Sequence, residues 1–214
     1  MPTTLGNEAN SWSIGTKMDI ALAVLFLLLL IASAGYQYTS QRGMVEDLVL
    51  QQTHELADSY FDNINTLMLT GGMANREIPR TKIMSRPEIL DARVIRGDAV
   101  KKVYGQGPEI NQAKDRLDRQ GLAGNPVEQI RQEGDHRVLS VIQPLIASKN
   151  FRGTDCTSCH LAAEGEILGA VRIDYSLQAL DAKVTREVWI HIGLNAAMMV
   201  LALIIVSLVL RRLI

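Results

Sequence analysis

ILGAVRIDYSLQALDAKVTREVWIHIGLNAAMMVLALIIVSLVLRRLI, residues 167–214, holds three consecutive signals. ILGAVRIDYS is rich in β-branched residues and reads as a strand. SLQALDAKVTREVWIH begins a helix. That helix leads into WIHIGLNAAMMVLALIIVSLVL, which meets the requirement of about 20 apolar residues for crossing a bilayer. Arg211 and Arg212 close it. A strand joined directly to a membrane helix is a mechanical arrangement: a shift at the strand is felt across the membrane.

Working outward, a second apolar block lies near the start: IALAVLFLLLLIASAG, residues 20–35, preceded by Lys17 and followed by Tyr36 and Tyr38 as interface anchors. The basic residues nearest the two apolar blocks lie on their outer sides, so the positive-inside rule puts both chain ends in the cytoplasm. The expected organisation is a cytoplasmic tail (1–18), a first span (19–36), a periplasmic domain (37–187), a second span (188–210) and a cytoplasmic end (211–214). Ala32-Ser33-Ala34 also resembles a signal-peptide cleavage site; either reading exports the middle of the chain. In the second span His191 is expected at the interface beside Trp189, and Asn195 against a partner helix. With 214 residues there is room for one domain besides two spans. The net charge of −1 implies no general attraction to nucleic acid.

The middle reads as α+β with an antiparallel sheet. VEDLVLQQTHELADSYFDNINTLML, residues 45–69, has apolar positions near helical spacing and predicts a long helix over 41–70, ended by Thr70-Gly71-Gly72. A second helix is expected over 78–84, bounded by Pro87. ILDARVIRG predicts a strand, with residues 100–104 returning beside it and 109–121 helical. HRVLSVIQPLIAS, residues 136–148, is a strand expected to break at Pro144.

The two cysteines of the chain fall in Cys156-Thr-Ser-Cys159-His160, the C-x-x-C-H pattern of c-type haem attachment. Thiols three residues apart lie on one side of a helical turn. There each adds to one vinyl group of the porphyrin, and the next side chain offers its imidazole to the iron. One covalent haem c, held by Cys156 and Cys159 with His160 as axial ligand, is the expectation. A structural disulfide leaves His160 unexplained. A thioredoxin-like pair wants a strand before it, and FRGTD reads as loop. A zinc site needs two further ligands. Met73 is the first candidate for a second axial ligand, on the bend after Gly71-Gly72, with Met68 the alternative; Met84, His54 and His136 are weaker candidates. Arg93, Arg96, Lys101, Lys102 and Arg152 are available to haem propionates. No distal acid–base set accompanies the motif, so an enzyme is not expected.

This order of segments resembles the periplasmic haem c sensor domains with a PAS-like fold found in methyl-accepting chemotaxis proteins and sensor histidine kinases. The residues carrying the resemblance are MLTGGMANRE, DARVIRGDAVKKVYG, RVLSVIQPLIAS, RGTDCTSCH and ILGAVRIDYSL, across about 55–180. The resemblance implies a PAS-like sheet, a sensor of redox state or of a diatomic gas, signal transduction through the second span, and a homodimer packed through its long helices. In such receptors the segment after the second span leads to a cytoplasmic signalling module. Here RRLI ends at Ile214, so the chain is expected to be a fragment or to work with a separate signalling or redox partner. The alternative function is a membrane-bound cytochrome serving as an electron-transfer subunit.

Overall fold

The protein is described by a computed structural model covering residues 14–213; within the expected tail, residues 1–13 lie outside the described residues, as does Ile214. The described chain divides into two compact units, 44–181 and the end segments 14–43 with 182–213.

The centre of the first unit is the strand Ile167–Ser176 (β4), flanked by Ile89–Arg96 (β1) on one side and His136–Ile146 (β3) on the other. Val127–Glu133 (β2) pairs with the outer side of β3, which gives a four-stranded antiparallel sheet of order β1-β4-β3-β2. β4 is buried along almost its whole length because its side chains alternate between two covered faces. Val171 and Ile173 pack with Ala57, Tyr60, Phe61 and Ile64 of the long helix Ile14–Leu69 (α1), and with Ile83 of Glu77–Met84 (α2). Ile173 is fully buried, worth about 2 kcal/mol of apolar transfer. On the opposite face Ala170 packs with Ile142, Val127 and Leu117 of Arg116–Leu122 (α4). The backbones of β1 and β4 approach closely at Gly169, where a Cβ would lie 2.3 Å from the Ile95 carbonyl oxygen.

That second face also carries charge. Asp118, fully buried, accepts hydrogen bonds from Arg93 of β1 (2.7 Å) and Arg172 of β4 (2.8 Å), and Arg172 also donates to Asp174 (2.9 Å). Burial pushes the Asp174 carboxyl up, but the charge and hydrogen bonds of Arg172 and the Ser140 hydroxyl more than offset this and hold it below the ordinary value.

Several sequence expectations need correction. Residues 100–104 are not a returning strand: Asp98–Tyr104 is a helix (α3), with Asp98 in its first turn and Lys101 and Lys102 in its last, where they complement the helix dipole. The strand beyond β3 is β2, joined to it by a tight turn with Gly134 at φ 64. Pro144 does not end β3, which continues to Ile146. β2 pairs only as far as Ile142, so Pro144 lies where β3 has a single neighbour and a missing N–H is tolerated. Only Arg116–Leu122 of the expected helix over 109–121 is α-helical, after a 3-10 turn at Glu109–Asn111.

In the second unit, α1 and the helix Gln178–Leu213 (α6) each contain a stretch long and apolar enough to cross a membrane. The Ser207 hydroxyl donates to the Asp19 carboxylate at 3.2 Å, joining the two apolar segments.

Candidate functional site

The C-x-x-C-H motif forms one helical turn, Cys156–His160 (α5), in the connection from β3 to β4. Asp155 starts it: its carboxylate accepts from the Thr157 amide at 2.9 Å, satisfying a donor that the first turn leaves orphaned. The Cys156 amide donates to the Ser148 carbonyl at 2.9 Å, which fastens the turn to the segment following β3. Leu161 ends it in the left-handed region at φ 51.

The two thiols are free and differ in setting. Cys156 is buried among Ala99, Ala147, Ala162 and Leu168, while Cys159 is exposed. The half-buried His160 ring lies edge-on to Tyr104, with centroids 5.6 Å apart, and the Tyr104 hydroxyl donates to the Cys159 carbonyl at 2.8 Å. The Nδ1 of His160 is buried without a hydrogen-bond partner. Burial pushes the imidazole below its usual pKa, which favours the neutral, ligating form at pH 7. Two thiols on one turn beside a neutral imidazole with an unpartnered buried nitrogen form a donor set that fits covalent haem with histidine ligation. Among the described residues no group of three or more His, Cys, Asp or Glu is placed to hold a metal ion.

The other sequence candidates fall elsewhere. Met68, Met73 and Met84 pack against the α1 face of the sheet, in the cluster of Ala57 and Ile173, and not in the cluster that holds Cys156. Phe151 and Leu145 touch both clusters. His54 has both ring nitrogens in use, one 2.8 Å from Glu128 and the other 2.8 Å from the Gln143 side-chain amide, so it is a structural link between α1, β2 and β3. His136 pairs with Asp135. Four of the five cations offered to propionates have protein partners: Arg93 on Asp118, Arg96 on the Tyr104 and Gly105 carbonyls, Lys101 on Asp98, and Arg152 on Asp58 and Asp62.

Tyr104 was not among the sequence candidates. An aromatic residue far from the motif in the chain carries no local signal, and its place beside His160 depends on residues 98–104 being helical. Neither a known family model nor a curated protein matches the chain.

Proposed function

We propose that this chain is a membrane-anchored c-type haem sensor in which Cys156 and Cys159 hold one haem, His160 binds its iron, and a PAS-like periplasmic domain passes the state of the site to α6. The observation that carries this reading is His160: an imidazole directly after two thiols on a single turn, with a buried ring nitrogen that no protein group satisfies. When bound, the haem supplies an iron centre whose oxidation or ligation state responds to redox conditions or to a diatomic gas.

The chain's own residues do the rest. Asp155 and the Ser148 carbonyl hold the start of the turn. Tyr104 holds its end through the Cys159 carbonyl and limits rotation of the His160 ring. α5 leads into β4, and after Leu177 the chain enters α6. Leu177 is buried and its amide donates to the Arg137 carbonyl at 2.9 Å. The Arg137 guanidinium pairs with both Glu46 of α1 and Asp181 in the first turn of α6. A displacement of β4 therefore acts on a junction where α1, β3 and α6 are tied together. Met73, with Met68 as the alternative, would be the side chain to offer the iron a second ligand. Phe151 and Leu145, which pack against the same cluster as Met73, also border the cluster of Cys156. A homodimer through the long helices, and a cytoplasmic signalling partner, complete the proposal.

The exposure of Cys159 and of Leu161, 81 % exposed, favours a second reading as an electron-transfer subunit, because an open side suits exchange with a redox partner. Absorption spectra of the purified ferric and ferrous protein, with and without carbon monoxide and nitric oxide, separate the two. A sensor of gas is expected to show a ferrous site that binds the added gas. A six-coordinate ferrous site with methionine ligation that ignores both gases removes gas sensing and leaves redox sensing or electron transfer.

A further inference from the structure

We propose that Arg152 is a latch that ties the cysteine–histidine turn to α1, so that α1, and not only α6, carries the state of the site. The inference rests on the haem reading for its signal, while the latch itself stands on geometry.

Phe151, Arg152, Gly153 and Thr154 form a closed tight turn. The Phe151 amide donates to the Thr154 carbonyl at 2.8 Å, and the Thr154 amide returns a bond to the Phe151 carbonyl at 2.9 Å. Both central residues have positive φ, 49 for Arg152 and 86 for Gly153. A turn of this kind asks for Gly, Asn or Asp at its first central position. Arginine there works against local preference, and such a conflict marks a residue held for another purpose.

The purpose lies in what the turn grips. Arg152 donates to Asp62 at 2.5 Å and to Asp58 at 2.8 Å. The Phe151 ring meets Phe61 edge-on, with centroids 5.3 Å apart. Asn65 donates to the Thr154 hydroxyl at 3.0 Å. Asp58, Phe61, Asp62 and Asn65 stand at i, i+3, i+4 and i+7, so one face of α1 is given over to this turn. The next residue in the chain, Asp155, starts α5. Arg152 also covers the Phe151 ring, its guanidinium carbon 5.2 Å from the centroid.

Ion pairs as exposed as these are individually weak. The Arg152 contacts are therefore ones with which solvent can compete. A small displacement of α5 is enough to change their occupancy, which a firmly buried contact would resist. α1 is the element that contains the first apolar span.

The test is hydrogen exchange on the full chain in detergent or lipid discs, with the iron ferric, ferrous and ferrous with carbon monoxide. Arg152→Gly suits the positive φ and removes the side chain without adding strain. The double variant Asp58→Asn with Asp62→Asn removes the partners from an exposed helix face. In the wild type, exchange of the α1 amides over 58–66 is expected to differ several-fold between iron states. Both variants are expected to lose that difference while keeping covalent haem and its spectrum. No difference in the wild type, or an undiminished difference in Arg152→Gly, overturns the latch. A chain without covalent haem defeats the haem reading at the spectrum. The latch is then read in the haem-free chain, where Arg152→Gly must speed exchange of the Thr157 and Ser158 amides several-fold; unchanged rates overturn it.

Discussion

Leu161 takes φ 51 and ψ 36 at the end of α5 with most of its side chain in solvent. A large apolar residue gains nothing from that place in the protein alone, and asparagine adopts the left-handed region at lower cost. Leu161→Asn is therefore expected to stabilise the turn by about 0.5–1 kcal/mol in the haem-free Cys156→Ser/Cys159→Ser background. The check is slower hydrogen exchange of the Cys159 and His160 region amides; faster exchange would show that the leucine side chain packs against the protein. His160 and its neighbours were legible because three chemically demanding residues sit in one short motif. Arg152 was legible only as one cation among several, because its strained turn and its two carboxylates, far back along α1, exist only in the fold.

At the scale of elements, the central strands declared themselves wherever their composition matched a strand buried on one or both faces. β1, β3 and β4 are of this kind. β2, with VEQIRQE, is largely exposed and polar, so it carries no hydrophobic alternation and was missed; its clue was the Gly134-Asp135 turn that joins it to β3. Residues 100–104 of α3 read as a strand because Val100 and Val103 suit either state over so short a run. The decision there is tertiary: Ala99 packs into the small cluster around Cys156, and the Gly97 amide bonds to the Leu168 carbonyl at 2.8 Å. The buried ion network is likewise invisible in sequence, since Arg93 and Arg172 look like ordinary strand-face charges. Their dependence on Asp118 makes a clear expectation. Asp118→Ala leaves two buried guanidiniums short of a partner and should cost about 3–5 kcal/mol. Loss of amide protection in β1 and β4 reads it; a cost below about 1 kcal/mol would show that water or Asp174 replaces the lost carboxylate.

At the scale of the molecule, two helices with stretches able to cross a membrane precede and follow, in chain order, a sheet that is covered on both faces. Most of this plan could be read from the two apolar blocks and from the strand that runs into the last of them. The proposed function joins that plan to α5, with the Arg137 junction and the Arg152 latch as its two connections to those helices. All of it depends on a haem bound covalently through Cys156 and Cys159. The most direct measurement is the intact mass of the chain, purified from membranes of a host that matures c-type cytochromes, compared with the Cys156→Ser/Cys159→Ser variant. The account requires the wild-type chain to carry the added mass of one haem under denaturing conditions and the variant to carry none. A wild-type chain of unmodified mass, or a variant that keeps the group, would contradict it.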